Sequence, residues 1–279
     1  LEWSSWCGDE DDTLLGVAAL VTNSGGCSIL YLPKNVPTID GSNADASVLA
    51  DTSVTIFHIP ASRHVTCCSW SCEKGKELLL ATGSARGEVL LWDFSATFTA
   101  EDAVPTVSEA FLADTAAGGD VYDRVTSVSF CPTVPHLVLA GTFGGWVRVW
   151  STVATRTTPR PLQKPLLSWV AEGNRNGQDK KHVTSKHDAM RQLEARGGSI
   201  VQSTTWGNHG SILVGFNDSP TLCKVECVAG ISAAATSVNG TMTPLCATSP
   251  SSIGATWAMK GLQVGALGPL VFNAGSSGA

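Results

Sequence analysis

The stretch GSARGEVLLWDF, residues 83–94, recurs in altered form as GTFGGWVRVWST, residues 141–152. In both copies an apolar strand leads through a glycine-containing turn into a second apolar strand that ends at a tryptophan, Trp92 or Trp150. Glycine supplies the positive φ that a tight hairpin turn needs, so each copy predicts two antiparallel strands. An internal repeat spaced by 58 residues indicates an architecture built from similar units.

A third copy lies upstream as TNSGGCSILYLP, residues 22–33. Its alignment places Gly26 opposite Gly87 and Gly145, at intervals of 61 and 58 residues. Two copies also have a third strand in front of the hairpin, HVTCCSW at 64–70 and RVTSVSF at 124–130. Apolar and polar side chains alternate in these segments, as in a strand with two unlike faces.

Later segments repeat the pattern less clearly. The predicted strands are GSIVQSTTW (198–206), SILVGFN (211–217), LCKVECV (222–228), IGATWAM (253–259) and QVGALGPLVF (263–272), and LLSWV (166–170) is interpreted as the strand that closes the third unit. The count is about four and a half units, whereas closed arrays of such units have about four to eight. We therefore expect at least one further unit outside these residues.

The unit resembles a WD40 repeat, and Trp92-Asp93 is the dipeptide that gives the repeat its name. The resemblance implies an all-β fold, a WD40-like β-propeller with degenerate blades spanning residues 1–279 and a long polar insert at 153–197. The Gly-His dipeptide of regular repeats is absent, so the Asp-His-Ser/Thr-Trp hydrogen-bond network of regular blades is not expected. Apolar packing between neighbouring sheets is expected to hold the blades instead.

Composition agrees with a folded scaffold. The chain has 279 residues, 43% of them hydrophobic and only 15% charged, with nine tryptophans, which predicts a large buried core. No apolar run reaches the roughly 18 residues that span a bilayer, so no membrane contact is expected. The odd number of cysteines, nine, favours a reducing compartment.

No sequence motif points to catalysis, a cofactor or a metal. The chain lacks a G-x-S-x-G elbow, an H-E-x-x-H pair and a P-loop, so we expect a protein that is not an enzyme. Cys67, Cys68 and Cys72 cluster without the spacing of a zinc site and are interpreted as structural thiols. His182 and His187 lie in a polar segment and are interpreted as solvated.

Charge is distributed unevenly along the chain. The insert 153–197 carries nine of the 18 lysines and arginines but four of the 24 acidic residues, a net charge of +5 against −11 for the remainder. A basic segment on an acidic body is a candidate site for DNA or an acidic protein partner, although a solvated linker explains it equally. The candidate binding residues are Arg175, Lys180, Lys181, Lys186 and Arg191.

Tryptophans outside the repeat positions are candidate docking anchors. Trp146 follows the hairpin glycine of the third copy, where the second copy has Glu88, and it is preferred over Trp3. Its side chain lies opposite Arg148 or on the same side, according to the register. Four other tryptophans are assigned to the core because their positions are equivalent between repeats: Trp70, Trp92, Trp150 and Trp206.

The order LLGVAALVTNSGGCSILYLP, a loop, then VTCCSWSCEKGKELLLATGSARGEVLLWDF resembles the smaller WD-repeat subunit of the RNA polymerase III transcription factor TFIIIC. VRVWS, LLSWV and GSIVQSTTWGNHGSILVGFNDS continue the likeness, which covers most of residues 12–228. The resemblance implies a nuclear, non-enzymatic subunit that contacts a second WD-repeat subunit near promoter DNA. Other WD-repeat scaffolds share these features, such as a dynein intermediate chain, which is cytoplasmic, or a ribosome-assembly factor.

Overall fold

The structure is a computed structural model that describes residues 2–3, 14–33, 54–71, 78–94, 108–113, 123–152, 165–170, 200–206, 211–216, 222–227, 240–245, 256–264 and 268–275. These residues form β-strands, turns and one 3-10 turn at Ala61–Arg63. The expected all-β fold is confirmed. The five candidate basic residues of the insert lie outside the described residues.

The strands form five separate antiparallel sheets in chain order. Sheet 1 contains β1 (Glu2–Trp3), β2 (Leu14–Val21), β3 (Cys27–Pro33) and β4 (Val54–Ile59). Sheet 2 contains β5 (Val65–Trp70), β6 (Leu79–Ser84), β7 (Val89–Asp93) and β8 (Ser108–Ala113). Sheet 3 contains β9 (Val125–Phe130), β10 (Leu137–Thr142), β11 (Trp146–Ser151) and β12 (Leu167–Val170). Sheet 4 contains β13 (Val201–Trp206), β14 (Ile212–Phe216), β15 (Leu222–Cys227) and β16 (Gly240–Leu245), and sheet 5 contains β17 (Thr256–Val264) and β18 (Gly268–Gly275).

Each four-stranded sheet is a simple meander, with every strand paired to the next one along the chain. The predicted hairpins and leading strands are confirmed, and LLSWV does close its sheet, because β12 pairs with β11 from Trp146↔Val170 to Val149↔Leu167. The segment QVGALGPLVF is divided between the end of β17 and the start of β18, which pair antiparallel. Sequence analysis did not find the outer strands β4, β8 and β16.

The first hairpin is offset by one residue from its predicted alignment. The glycine with positive φ is Gly25, at 85°, and its equivalents are Gly87 at 87° and Gly145 at 80°. In all three turns the glycine N–H donates to a carbonyl three residues earlier: Thr22 O, Ser84 O and Thr142 O. Gly25, and not Gly26, is therefore the counterpart of Gly87, and the intervals are 62 and 58 residues.

Neighbouring sheets stack in sequence order. The first strand of each of sheets 3 to 5 packs against the first two strands of the sheet before it, and β5 likewise contacts β1 and β2. Each of the three interfaces formed by sheets 1 and 2, 2 and 3, and 3 and 4 contains its own apolar cluster. The cluster between sheets 1 and 2 includes Ile29, Leu80 and Trp92, the next includes Leu79 and Trp150, and the third includes Leu139 and Trp206. The four tryptophans assigned to the core are all buried.

A glycine at the end of the second strand lets adjacent sheets approach closely. A Cβ atom on Gly83 would lie 2.8 Å from both Cβ of Val125 and Sγ of Cys67. The equivalent Gly141 faces Val201 in the same way, with a Cβ placed 2.6 Å from Cγ1 of that valine. Real Cβ atoms do not tolerate such distances, so only glycine fits at these two positions unless the packing shifts.

A threonine hydroxyl joins the same pairs of sheets. The pairing of the first strand with the second is irregular at Val65 in sheet 2 and at Val125 in sheet 3. In each sheet the threonine that follows this valine makes the hydrogen bond to the next sheet. The Thr66 hydroxyl donates to Val125 O at 2.7 Å, and the Thr126 hydroxyl donates to Val201 O at 2.6 Å. The two interfaces therefore share one construction, in which glycine admits a valine and threonine binds the carbonyl of that valine.

One threonine–tryptophan hydrogen bond is present, although the Asp-His-Ser/Thr-Trp network was not expected. Trp92 Nε1 donates to Thr82 Oγ1 at 2.9 Å in the buried interface between sheets 1 and 2. In the next repeat Ala140 replaces Thr82, and among the described residues none accepts a hydrogen bond from the buried Trp150 Nε1. Apolar packing carries the rest, as the missing Gly-His dipeptides predict.

Replacing Thr66 or Thr126 by valine is expected to lower the free energy of unfolding by about 0.5–1.5 kcal/mol in each case, because a hydroxyl bond to a carbonyl is lost. The two effects should add, since the residues lie at different interfaces. Urea denaturation followed by circular dichroism measures both. Replacing the exposed Thr55 by valine is the matched control and should change stability by less than about 0.5 kcal/mol. Equal stability of all three variants would contradict the link.

Candidate interaction site on the turn rim

The hairpin turns of sheets 1 to 3 lie beside the starts of first strands. The turn of sheet 1 bonds to the start of sheet 2, and the turns of sheets 2 and 3 bond to the starts of their own first strands. The Val65 N–H donates to Gly25 O at 2.7 Å, the Ala85 N–H to His64 O at 2.8 Å and the Phe143 N–H to Arg124 O at 2.8 Å. We call this region, residues 22–25, 60–64, 85–87, 123–124 and 143–146, the turn rim. These backbone hydrogen bonds hold the main chain of the turn rim in place.

The part of the basic insert that follows β12 starts beside the turn rim, whereas the part before β12 starts after Thr152, beyond the opposite end of β11. β12 ends at Val170, which pairs with Trp146, and β13 begins at Val201, whose carbonyl accepts the Thr126 hydroxyl. The connection between these two strands contains the five candidate basic residues, and it leaves and re-enters the fold beside the turn rim. The sixth candidate, Trp146, therefore lies beside the point where the connection begins.

Trp146 and Arg148 form a stacked pair. They lie two residues apart on β11 and so on one face, and Arg148 Cζ is 4.7 Å from the centroid of the Trp146 ring. The same-side register is thus the correct one. Both side chains are half-buried. The Trp146 N–H donates to Thr142 Oγ1 at 3.2 Å, which anchors the start of the strand.

The guanidinium of Arg148 has an unusual setting. Burial lowers its pKa from the ordinary value, while the nearby carboxylate of Asp123 acts in the opposite direction. Among the residues that the structure describes, none accepts a hydrogen bond from this side chain. Sequence analysis did not single out Arg148 as a binding residue. The available signal was the hairpin alignment, which places it at the position of Leu90 in the preceding repeat.

An arginine–histidine hydrogen bond lies on the turn rim at sheet 2. Arg86 Nη2 donates to His64 Nε2 at 3.0 Å, and both side chains are exposed. His64 adopts φ of 51°, the left-handed conformation, and its N–H donates to Ala61 O to close the 3-10 turn. The rim thus presents cations at two adjacent sheets of an otherwise acidic body.

The described cysteines are structural in setting. Cys27, Cys68 and Cys131 are buried free thiols, and Cys67 is a half-buried one. A hydrogen bond with the Cys68 side chain lowers the pKa of the Cys27 thiol, and burial opposes this. In the described part of the chain no three histidine, cysteine or acidic residues come together as a metal site. That part also contains no helix with the length and hydropathy to cross a membrane.

No protein-family model matches the chain, and no curated protein matches it significantly.

Proposed function

We propose that the chain is a WD40-like β-propeller with degenerate blades that acts as a non-enzymatic scaffold for protein partners. The observation that carries the proposal is the repeated interface, in which four-stranded meanders stack in chain order through equivalent glycine, valine and threonine residues. Blades of four antiparallel strands arranged in this way are the units of a propeller. A rigid body with ligand-binding loops at one end is suited to docking.

The proposed assembly is a TFIIIC-like factor of the RNA polymerase III system, with a second WD-repeat subunit as partner and a nuclear location. The sequence order of blades and the basic insert support it, because a positive segment on a negative body orients the chain toward DNA. The turn rim supports the proposal, since Trp146 pairs there with Val170, the residue after which the five basic candidates follow in the chain.

Affinity purification of the tagged protein from its own cells at moderate salt, followed by mass spectrometry, tests this function. Recovery of a second WD-repeat protein together with polymerase III factors is the expected result. Recovery of dynein chains or ribosome-assembly factors would replace the transcription assignment with one of those scaffolds. Recovery of no protein partner would contradict the scaffold function itself.

Reversing the charge of Lys180, Lys181 and Arg191 to glutamate is expected to weaken binding of duplex DNA. Loss of about three phosphate contacts should flatten the slope of log K against log salt by about 2–3 units. Fluorescence anisotropy with a labelled duplex at several salt concentrations measures this.

The matched control for that experiment reverses Lys34, Lys74 and Lys76. In sequence these residues fall between β3 and β4 and between β5 and β6, outside the insert, and the change in net charge is identical. Equal loss in both variants would show a general charge effect. No loss in the insert variant would assign the insert to a linker.

A further inference from the structure

Arg148 is charged, whereas the equivalent residue of the preceding repeat is a buried leucine. Its equivalent in sheet 2 is Leu90, which is 1% exposed in the apolar interface. Leu90 pairs with Thr82 on the neighbouring strand, whereas Arg148 pairs with Ala140. A charged group thus stands where the fold itself needs only a leucine.

Placing a guanidinium at a half-buried position costs desolvation, which only hydrogen bonds or a counter-charge offset. The described surroundings supply the ring of Trp146 at 4.7 Å and the field of Asp123, but no acceptor for the five N–H donors. Residues that break a local structural rule without compensation concentrate at functional sites. The arrangement is thus prepared for an acceptor that arrives from outside.

We propose that Trp146 and Arg148 form the seat for a carboxylate side chain in an acidic segment of a partner protein, an inference that rests on the scaffold function above. The planar guanidinium donates two parallel hydrogen bonds to the carboxylate. The indole holds the guanidinium by stacking and packs against an apolar side chain next to the acidic residue. The buried turn at Phe143–Gly145 fixes the base of the seat.

A protein segment fits this seat better than nucleic acid does. Duplex DNA is bound through many phosphates at once, and each needs its own cation. The seat holds one guanidinium, Asp123 lies near it, and the chain outside the insert carries a net charge of −11. A single carboxylate beside an apolar residue meets one cation and one aromatic ring without bringing a polyanion against the acidic body.

The test selects binders from a random dodecapeptide display library on the full chain at moderate salt. The strongest peptide is then synthesised with each aspartate and glutamate changed in turn to its amide. We expect one such change to weaken binding at least tenfold in fluorescence anisotropy, and R148L to cause a similar loss with the unchanged peptide. The control R86Q removes an exposed arginine of the same rim and should leave affinity within twofold.

The leucine variant restores the residue of the preceding repeat, so its unfolding midpoint is expected to equal or exceed that of the natural chain. R148K keeps the charge but lacks the planar fork, and it should retain part of the affinity. Peptides that bind independently of their carboxylates, R148L that binds normally, or duplex DNA whose binding depends on Arg148 would each overturn the inference. If R148L still purifies with the partners of the natural protein, this inference fails while the scaffold function stands.

Discussion

Replacing Trp92 by alanine is expected to lower the free energy of unfolding by about 3–5 kcal/mol, the largest effect of any single substitution considered for this chain. The indole is buried between sheets 1 and 2, where it belongs to the same apolar cluster as Ile29 and Leu80. Its ring lies 6.0 Å from that of Phe57 on sheet 1, and its Nε1 donates to Thr82. Removing it leaves a cavity and an unpaired hydroxyl together.

Urea denaturation monitored by circular dichroism measures this loss. Trp92→Phe separates the two contributions, because it keeps most of the ring and removes only the donor to Thr82. Trp150→Phe is the matched control, since among the described residues nothing accepts a hydrogen bond from its Nε1 and no such bond is lost. A loss below about 1 kcal/mol in Trp92→Ala would show that sheets 1 and 2 do not pack through this residue.

Replacing Gly83 by alanine is expected to destabilise the fold by about 1–3 kcal/mol through overpacking. The added methyl group meets Val125 and Cys67 at 2.8 Å, so sheets 2 and 3 must separate. The second substitution Val125→Ala removes the opposing methyl groups and should recover part of the loss. The double-mutant cycle should therefore give a favourable coupling energy of about 0.5–3 kcal/mol.

The equivalent pair at the next interface gives an internal control. Gly141→Ala should be rescued by Val201→Ala, because Gly141 faces that valine and not Val125. The crossed combinations, Gly83→Ala with Val201→Ala and Gly141→Ala with Val125→Ala, should show additive losses. Rescue in the crossed combinations would mean that the sheets do not stack in the described order.

The sequence was informative where a strand alternates or a turn requires glycine. The leading strand Val125–Phe130 and the hairpin around Gly87 were found in this way. The outer strands were missed for a physical reason. Gly240–Leu245 contains glycine and proline, and an edge strand such as Ser108–Ala113 has little need for apolar alternation.

The offset of the first hairpin shows a limit of another kind. Gly25 and Gly26 are adjacent, and either can take the positive φ of the turn as far as the residues indicate. Hydrogen bonding to Thr22 O selects Gly25. Which of the two glycines takes the positive φ depends on how β2 and β3 pair along their whole length, so the turn residues alone do not predict it.

The candidate site was partly predictable from residue type. Trp146 was found because it replaces a glutamate in the repeat, but its partner Arg148 was named only as a neighbour on the strand and not as a binding residue. Its significance appears only when the equivalent position is seen to be buried, since alternation alone does not tell which face is covered.

The meander order of the sheets has a consequence for synthesis on the ribosome. All four strands of sheet 2 have been synthesised once Ala113 is added, but the face bearing Leu79 and Leu91 stays uncovered until β9 follows. At about 5–20 residues per second this wait lasts on the order of a second, and it recurs for each later sheet. The growing chain therefore exposes one apolar face at a time, always the newest, which gives a chaperone a single moving target to protect.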